Sequence, residues 1–134
     1  MLPPSVHLVT DRGLASDLPA AVAAALGQVP PGAVAVHLRE KDLGGRALLA
    51  LARALRAACS AAGQRLIVND RLDVALLAGA DGVHLPAAGV PPGEARRLMG
   101  PDRLVGVSCH GEEDVRRARA AGADYATFGP VFAT

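Results

Sequence analysis

Strand-like and helix-like segments alternate without a break along these 134 residues, and that alternation constrains the fold more than any other feature. The pattern predicts strands over 6–9, 33–39, 65–68, 82–85, 103–108 and 125–129. Between them it predicts helices. The first is capped by Asp17, with Pro19 in its first turn and Gly27 near its end; the others cover 44–62, 72–78, 91–99 and 112–121. Gly63, Gly79, Gly100 and Gly122 stop the later helices. The sum is five βα units and a sixth strand, and a chain that alternates this way builds a parallel sheet.

Two architectures satisfy the pattern, a doubly wound sheet and a (β/α)8 barrel. A doubly wound nucleotide binder would show a glycine-rich loop after its first strand. Here that loop reads Thr10-Asp11-Arg12-Gly13, with neither G-x-G-x-x-G nor a P-loop. The expectation is therefore an incomplete (β/α)8 TIM barrel forming one domain over residues 1–134, cut off after the sixth strand, since a full barrel takes about 200 residues or more. One local pattern occurs twice: Ala78-Gly79-Ala80-Asp81-Gly82 and Ala121-Gly122-Ala123-Asp124-Tyr125. It reads as one helix-to-strand joint used two times.

Composition removes several function classes. The chain is 51% hydrophobic and 20% charged, which suits a packed core. A net charge of +1 and 2% aromatic residues give no case for nucleic acid or an acidic membrane surface. No apolar run reaches the ~20 residues needed to span a bilayer. The start lacks a basic n-region, so the default compartment is the cytoplasm. Two cysteines, Cys59 and Cys109, supply neither a disulfide framework nor a zinc quartet. Six strands leave two open sheet edges, so pairing of two chains into a homo-oligomer is an available way to cover them.

Period-two alternation sorts the polar residues onto one face. On the second strand Val34, Val36 and Leu38 face the helices, while Ala35, His37, Arg39 and, past the strand, Lys41 face the lumen. Cations gathered at the C-terminal end of a barrel strand suit a phosphate; the alternative is internal pairing with Glu40, Asp42 or Asp70. The third strand ends in Asn69-Asp70, where Asp70 either ligates Mg²⁺ or caps the following helix. On the fifth strand Leu104, Gly106, Ser108 and His110 share the lumen face, and Val105, Val107 and Cys109 share the other. His110 is either a general acid/base or a helix-cap histidine. Cys109 points away from His110 and reads as a core residue. His84 reads as a buried, hydrogen-bonded histidine that could also line the lumen, and His7 carries no signal.

Six motifs occur in order: Leu8-Val9-Thr10-Asp11, His37-Leu38-Arg39-Glu40-Lys41, Val68-Asn69-Asp70-Arg71, Ala80-Asp81-Gly82-Val83-His84-Leu85, Gly106-Val107-Ser108, and Ala123-Asp124-Tyr125 running to Gly129-Pro130-Val131-Phe132. Together they resemble the thiamine phosphate synthase/TenI family of (β/α)8 barrels. The resemblance implies a thiamine-biosynthesis enzyme that binds a phosphorylated thiazole or pyrimidine. It implies that Arg39 and Lys41 hold a diphosphate, that Asn69 helps, that Asp70 holds Mg²⁺, that Ser108 lines the pyrimidine site, and that Thr134 lies in a phosphate-contacting loop. Two departures point toward the TenI-like thiazole tautomerases. His37 stands where synthases carry Gln, and Pro86-Ala87-Ala88-Gly89 stands where they carry Gly-Gln-x-Asp, so Gly89 replaces a second Mg²⁺ ligand. In that branch His110 is the proton-transfer residue and no metal is needed. The expectation is a tautomerase. The alternatives are an Mg²⁺-dependent synthase, a non-catalytic phosphate-ligand binder and an inactive fragment.

Overall fold

Each strand divides its side chains between two environments, and that division sets the architecture. Residues 2–133 are described by the computed structural model. The strands are β1 (Val6–Val9), β2 (Val34–Leu38), β3 (Arg65–Asn69), β4 (Gly82–Leu85), β5 (Leu104–Cys109) and β6 (Tyr125–Phe128). The α-helices are α1 (Leu18–Leu26), α2 (Gly45–Ala62), α3 (Leu72–Ala78), α4 (Pro92–Met99) and α5 (Glu112–Ala120). The strands pair in the order β1-β2-β3-β4-β5-β6, and every pair is parallel. A doubly wound sheet reverses its strand order, and this one never does. It is a half-barrel.

The two faces differ in what they bury. Val34, Val36, Leu38, Leu66, Val68 and Val105 join residues of all five helices in one core. Ala35, Ile67 and Leu104 form a separate small cluster on the inner face, packed by Tyr125. α2 shows why a helix docks outside. Leu48, Ala52, Leu55 and Cys59 fall on one stripe and are buried. Asp17 caps α1 as the sequence predicts, its side chain accepting from the Ala20 amide at 3.1 Å. One turn was not predicted: Asp11 accepts from Gly13 N at 2.8 Å and nucleates a short 3₁₀ turn, Arg12–Leu14. Among the described residues no helix is long and apolar enough to cross a membrane.

The repeated Ala-Gly-Ala-Asp pattern is one joint built twice. Asp81 Oδ2 accepts from Leu66 N (2.8 Å) and from Arg56 of α2 (3.2 Å). Asp124 Oδ2 accepts from Val105 N (2.8 Å) and from Arg96 of α4 (2.5 Å). In both, the glycine takes a left-handed conformation (φ 65° at Gly79, 87° at Gly122) that swings the chain from helix into strand. Gln64 plays the same part before β3, its Oε1 accepting from Val34 N at 2.9 Å. Each side chain satisfies an amide at the start of the preceding strand. The three joints thus pin the N-terminal ends of the sheet, the end that stabilises a barrel.

Asp81→Ala leaves the Leu66 amide unsatisfied and should cost about 1–3 kcal/mol. The urea midpoint should fall with no change in slope. Leu77→Ala, at a side chain 63% exposed, should move stability by no more than about 0.5 kcal/mol. An unshifted midpoint for Asp81→Ala would contradict the role given to the joint.

Candidate active site

Register brings the inner-face polar residues together. Val9 pairs with His37, Asn69 with His84, and Ser108 with Thr127. The result is an open basin of about 400 Å³ at the C-terminal end of the sheet, lined by His37, Arg39, Asn69, His84, Ser108 and Tyr125, among others. His37, Arg39, Asn69 and Ser108 therefore stand where the sequence places them. His84 is both buried and lumen-facing.

Hydrogen bonds fix the floor of the basin. His7 Nε2–H donates to the Pro4 carbonyl (3.1 Å), which can only accept. In neutral His7 the Nδ1 must then accept, and His37 Nε2–H donates to it at 2.6 Å. That leaves His37 Nδ1 as an acceptor. His84 bonds to the Tyr125 hydroxyl through Nδ1 (3.0 Å) and to Ser108 Oγ through Nε2 (2.9 Å). Thr127 Oγ1 donates onward to Ser108 Oγ at 3.4 Å. Gly106 makes room for this arrangement, because a Cβ there would overlap the Tyr125 ring. Burial holds the His37 imidazole down at about 4, helped by His84 and His7. Burial does the same to His84, also to about 4, with His7 contributing. It pushes the Tyr125 phenol upward. His37, His84 and Tyr125 are thus uncharged at neutral pH, and the floor is rich in hydrogen-bonding groups, a surface suited to a polar heterocycle.

The rim carries the charge. Arg39 lines the basin; Lys41 lines a neighbouring cleft of about 230 Å³ with Asn69, Asp70 and Arg71. Asn69 borders both spaces. The internal pairing that would have consumed Arg39 and Lys41 does not form: among the described residues neither makes an ion pair. Arg12 takes the acids instead, gripping both oxygens of Asp42 at 2.9 Å and reaching Glu40 at 3.4 Å. Arg71 is held by Asp73.

Asp70 does not cap α3. Arg71 occupies the cap position, with no side-chain cap bond. Asp70 has φ 65°, and the Arg71 amide bonds back to the Asn69 carbonyl at 2.7 Å, a γ-turn centred on Asp70. This strained geometry is uncommon outside functional sites. The Asp70 carboxylate makes no hydrogen bond or ion pair among the described residues, and it lines the Lys41 cleft. Those residues hold no cluster of three or more His, Cys, Asp or Glu arranged for a metal, so a cation there would rest on Asp70 and on ligand oxygens.

His110 stands apart from the basin. It is exposed at the end of β5, its Nδ1–H donating to the Gly129 carbonyl (2.7 Å) and its backbone N–H to Asp114 (3.0 Å). Gly111 occupies the α5 cap position, so the helix-cap role falls there and not to His110. Thr134 lies outside the described residues. Burial raises the Cys59 thiol to about 11 and raises Cys109 as well, so both are inert core residues at neutral pH. Sequence reasoning missed His7 and Tyr125. Alternation alone puts His7 on the His37 face, but only the β1–β2 register reveals the contact.

His37 and His84 should titrate near pH 4 by NMR, well below an ordinary histidine near 6.5. Their folded values lie below the unfolded one, so between about pH 4 and 6.5 the unfolded chain binds more protons. Their contribution makes stability rise with pH across that window and level off above it, by up to about 1.4 kcal/mol per pH unit for each histidine. Titration of both near 6.5 would contradict the buried neutral floor. Gly106→Ala should expel the ring of Tyr125, the single tyrosine in a chain without tryptophan, and change the intrinsic fluorescence. Unchanged emission would refute the packing.

A sequence profile described as "Thiamine monophosphate synthase" matches residues 6–134. A "Thiamine-phosphate synthase" from Solidesulfovibrio magneticus is 47% identical over 98% of this chain and 62% of its own length. One from Methanoculleus marisnigri is 52% identical over 77% of this chain and 49% of its own. The solved structure of "Thiamine phosphate pyrophosphorylase from Pyrococcus furiosus" superposes with a TM-score of 0.82 at 32% identity, covering 96% of this chain and 61% of that one. The chain thus spans about half to three-fifths of the relatives it matches. A profile match over nearly the whole chain, joined to a half-barrel whose mouth carries unpaired cations, places this chain in the thiamine monophosphate synthase family.

Proposed function

We propose that the full-length protein is a thiamine-phosphate synthase, joining a hydroxymethylpyrimidine diphosphate to a thiazole phosphate and releasing diphosphate. The observation that carries this reading is the pair of unpaired rim cations, Arg39 and Lys41, beside an uncommitted Asp70. The names of the Solidesulfovibrio and Methanoculleus relatives support it.

The chemistry demands such a rim. The C–O bond between the pyrimidine methylene and the diphosphate breaks, and its electron pair leaves on the diphosphate oxygen. The thiazole nitrogen then forms the C–N bond to the carbocation. The main barrier is charge building on the leaving group, which fixed cations stabilise without reorganising. Arg39 and Lys41 supply that charge, and the Asn69 amide supplies a neutral donor between the two spaces. The uncharged floor of His37, His84 and Tyr125 receives the heterocycle and adds no competing charge. Mg²⁺ fits Asp70, whose carboxylate is unengaged, with substrate phosphates and water completing the shell. When bound, the metal would neutralise charge on the departing diphosphate.

One observation favours the tautomerase as a second reading. The bond from His110 Nδ1–H to Gly129 leaves Nε2 as the ring's acceptor nitrogen on an exposed side chain just past the C-terminal end of β5. His37 and Gly89, which replace synthase residues, agree with it. That reaction moves a proton on a thiazole carboxylate phosphate and needs a phosphate grip and an acid/base, without metal.

Full-length protein given both substrates and Mg²⁺ should form thiamine phosphate and diphosphate, and EDTA should stop it. Asp70→Ala and Lys41→Ala should each lower kcat by about 10²-fold or more, while His110→Ala should cost less than about tenfold. The contrary result is EDTA-insensitive proton exchange on the thiazole substrate, without coupling, that falls about 10²–10⁴-fold in His110→Ala.

A further inference from the structure

The segment that carries the two rim cations also carries a buried acid between them. Glu40 lies between Arg39 and Lys41 in sequence, yet it pairs with neither. Its side chain is 6% exposed. Oε2 accepts from Thr10 Oγ1 at 2.7 Å. Oε1 accepts from the Arg12 backbone N–H at 3.0 Å and from the Arg12 guanidinium at 3.4 Å. Thr10 Oγ1 in turn accepts from the Arg39 amide at 3.0 Å. Arg12 continues to Asp42, so residues 39–42 are held at both ends by the loop after β1.

We propose that Glu40 is a positioning residue: with Thr10 and Arg12 it forms a clamp that fixes the backbone of residues 39–42 and leaves the Arg39 and Lys41 side chains open to a diphosphate-bearing ligand. This rests on the reading of the mouth as an anion site. The physical problem is that an acid beside two cations normally neutralises them. Here every strong bond to Glu40 comes from Thr10 and Arg12, so its charge is spent before Arg39 or Lys41 can use it. Arg39 lies just past the β2 ladder and Lys41 two residues further on, where strand pairing no longer holds the chain. The clamp supplies the missing constraint, and rim cations need that preorganisation to meet a leaving group without reorganising.

The sign of one substitution separates positioning from charge. Glu40→Gln keeps the side-chain shape and removes a negative charge close to the rim. By Coulomb's law alone it should tighten anion binding. A clamp predicts the opposite. Inorganic diphosphate titrated calorimetrically into the full-length protein should bind about tenfold more weakly to Glu40→Gln, and KM for the diphosphate substrate should rise more than kcat falls. Thr10→Val should match it and Thr10→Ser should restore wild-type binding, which keeps the test valid if Glu40→Gln folds poorly. Hydrogen exchange at the Arg12 and Arg39 amides, which report the clamp without any ligand, should quicken about tenfold in Glu40→Gln and Thr10→Val. Equal or tighter diphosphate binding in both variants would overturn the proposal. If the wild-type protein binds no diphosphate, the anion-site reading falls; unchanged amide exchange would then overturn the clamp as well.

Discussion

Everything at the mouth depends on the period-two division of six parallel strands. One set of side chains closes against the buried stripes of the helices, and the two together form the main apolar core. The other set is freed from packing on helices and can be small, polar or charged. Gly106 and Ala35 keep the inner face shallow enough for the Tyr125 ring, and the ring then contributes to the histidine layer. A one-residue slip in any strand would send these polar residues into the helix layer and the valines into the lumen. The joints at Asp81, Asp124 and Gln64 act against such a slip, because each side chain reads one particular backbone amide of the neighbouring strand.

Charge is graded from floor to rim. His37 and His84 are neutral because burial makes protonation unfavourable, and His7, bonded to the Pro4 carbonyl on one side and His37 on the other, ties β1 into the layer. Above them stand Arg39 and Lys41, with Asn69 at the boundary of the two spaces. A ligand with a neutral ring and a charged tail matches this gradient in one orientation only. Two of the acids nearest the rim are kept from cancelling it, because Arg12 holds Glu40 and Asp42, while Asp70, at the centre of its γ-turn, makes no ion pair among the described residues.

The fold was legible because it rests on local signals. The alternation of β-branched runs with Ala/Leu/Arg stretches, each closed by glycine, placed all six strands and five helices, with ends displaced by a residue or two. The order of the strands was not local, and the choice of barrel over doubly wound sheet leaned on a missing glycine-rich loop until the pairing settled it. At the site, alternation was enough for Arg39, Asn69 and Ser108, which need only to lie on the right face. It left Asp70 open between a Mg²⁺ ligand and a helix cap, because a cap and a γ-turn look alike in sequence, and the structure removes only the cap. Alternation failed for Thr10, Arg12 and Glu40, whose bonds span 28–30 residues. His7 and Tyr125 were missed for the same reason: they meet His37 and His84 only through pairing register.

The most direct test of the central claim is a crystal structure of the full-length protein soaked with Mg²⁺ and inorganic diphosphate. The account predicts diphosphate density within hydrogen-bonding distance of Arg39 and Lys41, with a cation against the Asp70 carboxylate and the histidine floor left free. Diphosphate bound elsewhere, with Arg39 and Lys41 turned toward solvent, would contradict it.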